Sequence, residues 1–131
     1  MNQTSALRSE PRPPLSARVH GRWETVCRRS DLVARSGVVA WHQGRQLAIF
    51  YLPEQAAGGQ LFAIDNRDPR SGANVIGRGL LGQLKGCLVV AAPLYKQHFC
   101  LDDGSCLEDP TQRLQVWPAR LYGDDVQIAL D

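Results

Sequence analysis

The sequence predicts an all-β fold, a small antiparallel sandwich or barrel, and three observations predict it. Apolar runs are short and recur at the spacing of strands. Turn residues, Gly and Asp foremost, separate them. No segment sustains a helical period beyond a single turn. The chain has 131 residues, 44% hydrophobic and 21% charged, which suits one globular domain with one modest core.

Residues 1–21 read as a flexible N-terminal tail, because Pro11, Pro13 and Pro14 interrupt a stretch with almost nothing apolar to bury. The folded domain then spans residues 22–131. Its expected strands are Trp23 to Cys27, Val38 to Trp41, Leu47 to Leu52, Leu61 to Asp65, Leu80 to Leu84, Cys87 to Ala91, His98 to Leu101, Leu114 to Leu121 and Val126 to Leu130. Hairpin reversals are expected at His42-Gln43-Gly44-Arg45, Leu84-Lys85-Gly86 and Tyr122-Gly123-Asp124-Asp125, where Gly or Asp accepts positive φ. One helical turn is expected from Ser30 to Arg35, with Ser30 as cap and Gly37 as terminator. Asn66 to Gly79, carrying Asp-Pro and Ser-Gly, reads as a long loop of the kind that often serves function.

The net charge of +2 resides in the tail, and residues 22–131 are balanced. A neutral domain without a basic face argues against nucleic-acid binding. No apolar stretch reaches the roughly 18 residues of a membrane helix, and no secretory leader is visible, so a cytoplasmic location without membrane contact is expected.

Four cysteines, Cys27, Cys87, Cys100 and Cys106, are expected to be free thiols. His98, Cys100 and Cys106 form one candidate metal-ligand set, if a turn at Asp102 to Ser105 brings Cys106 back beside the strand. A metal-binding electron carrier is therefore one alternative, and a stand-alone binding module another. No hydrolase or nucleotide-binding motif is present, and catalytic residues are not expected. Gly77-Arg78-Gly79-Leu80-Leu81-Gly82 matches a dinucleotide fingerprint in letters, but a strand pattern follows it where a helix is required. His20, in the tail, and His42, in a hairpin turn, read as solvated side chains.

Two loop-plus-strand units stand out, Leu61 to Pro69 and Leu88 to Gly104. They resemble the Rieske ferredoxin pattern, in which an Ala-Ile-Asp strand enters a Cys-x-His loop and a later strand enters Cys-Pro-x-His. In that family two Cys hold one iron and two His the other. Position by position, Asn66 and Asp68 stand for the first Cys and His, and Ala92 and Tyr95 for the second pair. Ala92 has no donor atom, and the Tyr95 phenol keeps its proton to a pKa of about 10. No [2Fe–2S] cluster is therefore expected in this chain.

The departures are similar to one branch of that family. Arg78-Gly79-Leu80, Pro93-Leu94, Lys96-Gln97, Phe99, Leu101, Gly104, Cys106 and Asp109 resemble the small subunits of assimilatory NAD(P)H-dependent nitrite reductases. The resemblance runs from about Trp23 to the C-terminus. It implies a Rieske-like domain without a cluster, a structural or regulatory role in reducing nitrite to ammonium, and a large-subunit partner carrying siroheme, [4Fe-4S], FAD and the NAD(P)H site. It further implies a docking tip formed by the two loops, bearing Arg67, Asp68, Arg70, Tyr95 and Lys96.

Overall fold

The structure, a computed structural model, describes residues 22–54 and 60–130; the tail assigned to residues 1–21 lies outside them. Among the described residues ten strands follow in order: β1 Trp23–Arg28, β2 Ser36–His42, β3 Arg45–Leu52, β4 Gln60–Asp65, β5 Leu80–Leu84, β6 Cys87–Ala91, β7 His98–Cys100, β8 Val116–Trp117, β9 Ala119–Tyr122 and β10 Asp125–Ala129. They form three antiparallel sheets, ordered β1-β10-β9, β2-β3-β4-β8 and β5-β6-β7. The all-β expectation therefore holds.

The central strand β3 explains the architecture. Leu47, Ala48, Ile49 and Phe50 are each fully buried, so the strand is covered on both faces. Its alternation divides them. Ala48 and Phe50 join Ile64, Ile76, Val90, Phe99 and Leu101 in the core that carries the two loops. Leu47 and Ile49 join Ala63, Trp117, Val126 and Ile128 in a second core under β1 and β10. Burying each Val, Leu, Ile or Phe of these cores stabilises the fold by about 1.5–3 kcal/mol.

The hairpins form where turn chemistry placed them. Gln43 and Gly44 have φ of 51° and 78°, and Lys85 and Gly86 have 53° and 80°. Two consecutive positive values define the reversal that matches strand twist. Gly104 is constrained twice. Its φ is 81°, and a Cβ there would lie 1.9 Å from the Leu114 carbonyl oxygen.

Several expectations are corrected. The run Leu114 to Leu121 is two strands, because Pro118 separates Val116–Trp117 from Ala119–Tyr122 and offers no N–H to a ladder. The helical turn is a 3₁₀ turn at Arg29–Asp31. Asp31 caps it by accepting the Arg28 N–H at 2.9 Å, and the left-handed residue after it is Arg35, with φ 59°, rather than Gly37. The long loop contains a 3₁₀ turn at Ile76–Arg78, with Ile76 and Gly77 buried. His42 ends β2 and is 6% exposed, with Nδ1 2.9 Å from Glu24 Oε2. The ring is thus held against β1 instead of being solvated.

Candidate functional site

The first loop leaves β4 at Asn66, and its side chain is fully committed. Nδ2 donates to Gln46 Oε1 at 2.9 Å, and Oδ1 accepts the Gly77 N–H at 2.6 Å. The Asn66 backbone donates to Gln46 O and accepts from Ile76. One buried amide thereby ties β3, the end of β4 and the 3₁₀ turn together, and Gly77 permits the approach because a Cβ would stand 3.2 Å from Oδ1. Two positions on, Asp68 is fully buried. Its Oδ1 accepts the Arg70 N–H at 2.9 Å, its backbone N–H donates to Ala73 O, and its carbonyl accepts the Gly72 N–H. Asp68 Oδ2 is buried and has no partner.

The second loop is shorter and strained. Ala92 is 1% exposed, and its N–H donates to Gln97 O at 2.8 Å, closing a turn over Pro93, Leu94, Tyr95 and Lys96. Tyr95 and Lys96 have φ of 62° and 55°. For a bulky side chain this region is an outlier that costs about 1–3 kcal/mol per residue. Tyr95 points outward and is 61% exposed. The Arg70 guanidinium lies over that ring, 4.5 Å from its centroid. A cation–π contact thus joins the loops where the family places a metal cluster. The Asp109 segment adjoins them. Hydrogen bonds from Thr111, with the charge of Arg70 as a lesser cause, hold the Asp109 carboxyl below its ordinary value.

The surface of this tip matches the expectation in part. Arg67, Arg70, Tyr95 and Lys96 are exposed, together with Leu94. Among the described residues, none of these three cations makes an ion pair. Asp68 is the correction. Its carboxylate turns inward to hold the loop backbone and contributes nothing to the surface.

The alternative metal set does not assemble. Cys106 pairs with Phe99 across an antiparallel bridge, which places its side chain on the opposite face of β7 from His98 and Cys100. His98 meets Glu108 instead, with Nδ1 2.5 Å from Oε2 and its backbone N–H donating to Oε1 at 2.7 Å. Partial burial raises the Glu108 pKa, and these His98 contacts outweigh it, leaving the carboxyl below its ordinary value. Among the described residues, no group of three or more His, Cys, Asp or Glu side chains is placed to hold a metal ion. The donor set for an iron–sulfur cluster does not fit either: an amide in two hydrogen bonds, an inward carboxylate, a methyl group and an outward phenol occupy the four positions.

The fold and the paired loops define a Rieske-like domain. The profile of the Rieske-like [2Fe-2S] domain family matches residues 22–129. The nitrite reductase (NADH) small subunit of Salmonella typhimurium is 40% identical over 81% of this chain and 95% of that protein. A solution structure of the nitrite reductase [NAD(P)H] small subunit from Erwinia carotovora superposes with a TM-score of 0.68 at 37% identity, covering 83% of this chain and 82% of that one. The nitrite reductase [NAD(P)H] large subunit of Klebsiella oxytoca is 32% identical over 96% of this chain, which corresponds to 12% of that protein. The chain belongs to the Rieske-like domain family, in its branch of nitrite reductase small subunits.

Gln46, Gln97 and Glu108 carried no sequence signal for their roles. Gln46 meets Asn66 beside the β3–β4 pairing, Gln97 accepts through its main chain across the second loop, and Glu108 meets His98 from the segment after β7.

Proposed function

We propose that this chain is the small subunit of an NAD(P)H-dependent nitrite reductase, acting in nitrogen assimilation as a structural or regulatory partner of a large subunit that reduces nitrite to ammonium. The chain holds no cofactor of its own in this reading, and siroheme, [4Fe-4S], FAD and NAD(P)H belong to the large subunit. One observation carries it. The four positions that would hold a cluster are occupied by Asn66, Asp68, Ala92 and Tyr95, and protein contacts at three of them keep the loops in shape. The Klebsiella oxytoca relative supports the partnership, since there a segment 32% identical to this chain is part of a large-subunit chain.

The docking face in this proposal is the tip. Tyr95, 61% exposed, lies under the Arg70 guanidinium, and the two loops also expose Arg67 and Lys96; an exposed aromatic with basic neighbours is the composition of an interface centre. Its complement is an acidic surface on the large subunit. Co-elution of the untagged chain with its large subunit tests this, with Arg67→Glu and Lys96→Glu as the charge reversals. Both reversals should weaken co-elution and shift the unfolding free energy by less than about 0.5 kcal/mol. Unchanged co-elution by both would move docking to another face, and no co-elution of the parent chain would refute the partnership.

A further inference from the structure

Cys87 opens β6 and Cys100 closes β7. The register pairs Val89 with Cys100, and Cys87 precedes Val89 by two residues, so all three side chains point to one face of the sheet. A hydrogen bond from the Leu101 N–H to Leu88 O, at 2.9 Å, extends the pairing and sets Cys87 diagonally across from Cys100. The Cys87 side chain is among the lesser causes that raise the Cys100 thiol. The other cysteines are elsewhere: Cys27 is in β1 of another sheet, and Cys106 lies opposite Phe99 with Sγ 3.7 Å from Glu108 Oε1. The two strands bearing the pair are those that enter and leave the second loop, Ala92 to Gln97.

We propose that Cys87 and Cys100 form an oxidisable dithiol whose disulfide cross-links β6 to β7 behind the second loop. The oxidant is a small-molecule disulfide such as oxidised glutathione. Cys87 is half-buried and Cys100 is 5% exposed, so the reagent meets Cys87 first. The Cys87 thiolate attacks the reagent and expels one glutathione thiolate, which takes up a proton. Cys100 Sγ then attacks the mixed disulfide and expels the second. Two protein S–H bonds are lost and one S–S bond forms, and the two electrons leave in two reduced glutathiones. Burial, as the main cause, pushes the Cys100 thiol up to about 11, so the second step is the slow one. Diagonal neighbours sit about 7–8 Å apart at Cα, just beyond the roughly 4.4–6.8 Å of relaxed disulfides. Closure therefore draws the strands together, and the strain makes the bond easily reduced.

Incubating the folded chain with oxidised glutathione, followed by intact-mass measurement and peptide mapping, tests this. The expected product has lost two hydrogens, contains a Cys87–Cys100 cross-linked peptide and reverts with dithiothreitol. The double variant Cys27→Ser, Cys106→Ser should retain the cross-link. Cys87→Ser should abolish it while keeping the parent circular dichroism spectrum. Accumulation of a glutathione adduct on Cys87 with Cys100 still free, absence of any reaction, or a cross-link through Cys27 or Cys106 would overturn the proposal.

Discussion

Replacing Asn66 with alanine removes the amide that ties the first loop to β3. The Gly77 N–H is buried and loses its acceptor at 2.6 Å, and an orphaned buried donor costs about 1–3 kcal/mol. The Gln46 Oε1 acceptor is half-buried and recovers water in part, which adds about 0.5–1 kcal/mol. The expected loss is about 1.5–4 kcal/mol, or roughly 6–16 °C in Tm for a domain of this size. Urea unfolding followed by tryptophan fluorescence measures it, and Asn74→Ala on the exposed side of the same loop serves as a control near zero. A double-mutant cycle with Gln46→Ala should give a coupling of about 0.5 kcal/mol or more. An Asn66→Ala loss below about 0.5 kcal/mol would refute the idea that this amide stands in for a metal in holding the loop.

Other outcomes follow from the same geometry. A double-mutant cycle between Arg70→Ala and Tyr95→Ala should show a coupling of about 0.5–1 kcal/mol, as for exposed cation–π pairs. Zero coupling would mean that the ring and the guanidinium are merely adjacent. The Glu108 carboxyl is held below its ordinary value near 4.5, so its contribution is complete above that pH and is lost as pH falls through the lowered folded value. Acid titration of stability should therefore be shallower in Glu108→Gln than in the parent chain, and identical curves would contradict it. Deleting residues 1–20 should leave Tm within a few degrees, as thermal unfolding would show, because that stretch has almost nothing apolar to bury.

Strand positions were legible where local chemistry decided them. β5 and β6 begin and end at the expected residues, because Lys85 and Gly86 dictate the reversal between them. Pro118 was visible, yet its effect was not. The apolar pattern continues across it, while the chain passes there from the β4 ladder to the β10 ladder, dividing β8 from β9. The loop residues at the former ligand positions were identifiable from the family resemblance, but their environments were not. Asp68 turns inward, its carboxylate accepting the Arg70 amide, and Tyr95 stays exposed on a left-handed backbone under the Arg70 guanidinium. Neither orientation has a signature in residue type. His42 shows the same limit: a strand end reads as a turn until β1 supplies Glu24 from 18 residues away.

In the proposed reading, side chains hold the loops in place of iron. Anaerobic reconstitution of the purified, untagged chain with iron and sulfide, followed by desalting, iron analysis and visible absorption, tests this most directly. The expected result is a colourless protein without stoichiometric iron, its unfolding midpoint unchanged by the treatment. Visible bands of a [2Fe-2S] centre with bound iron would contradict it.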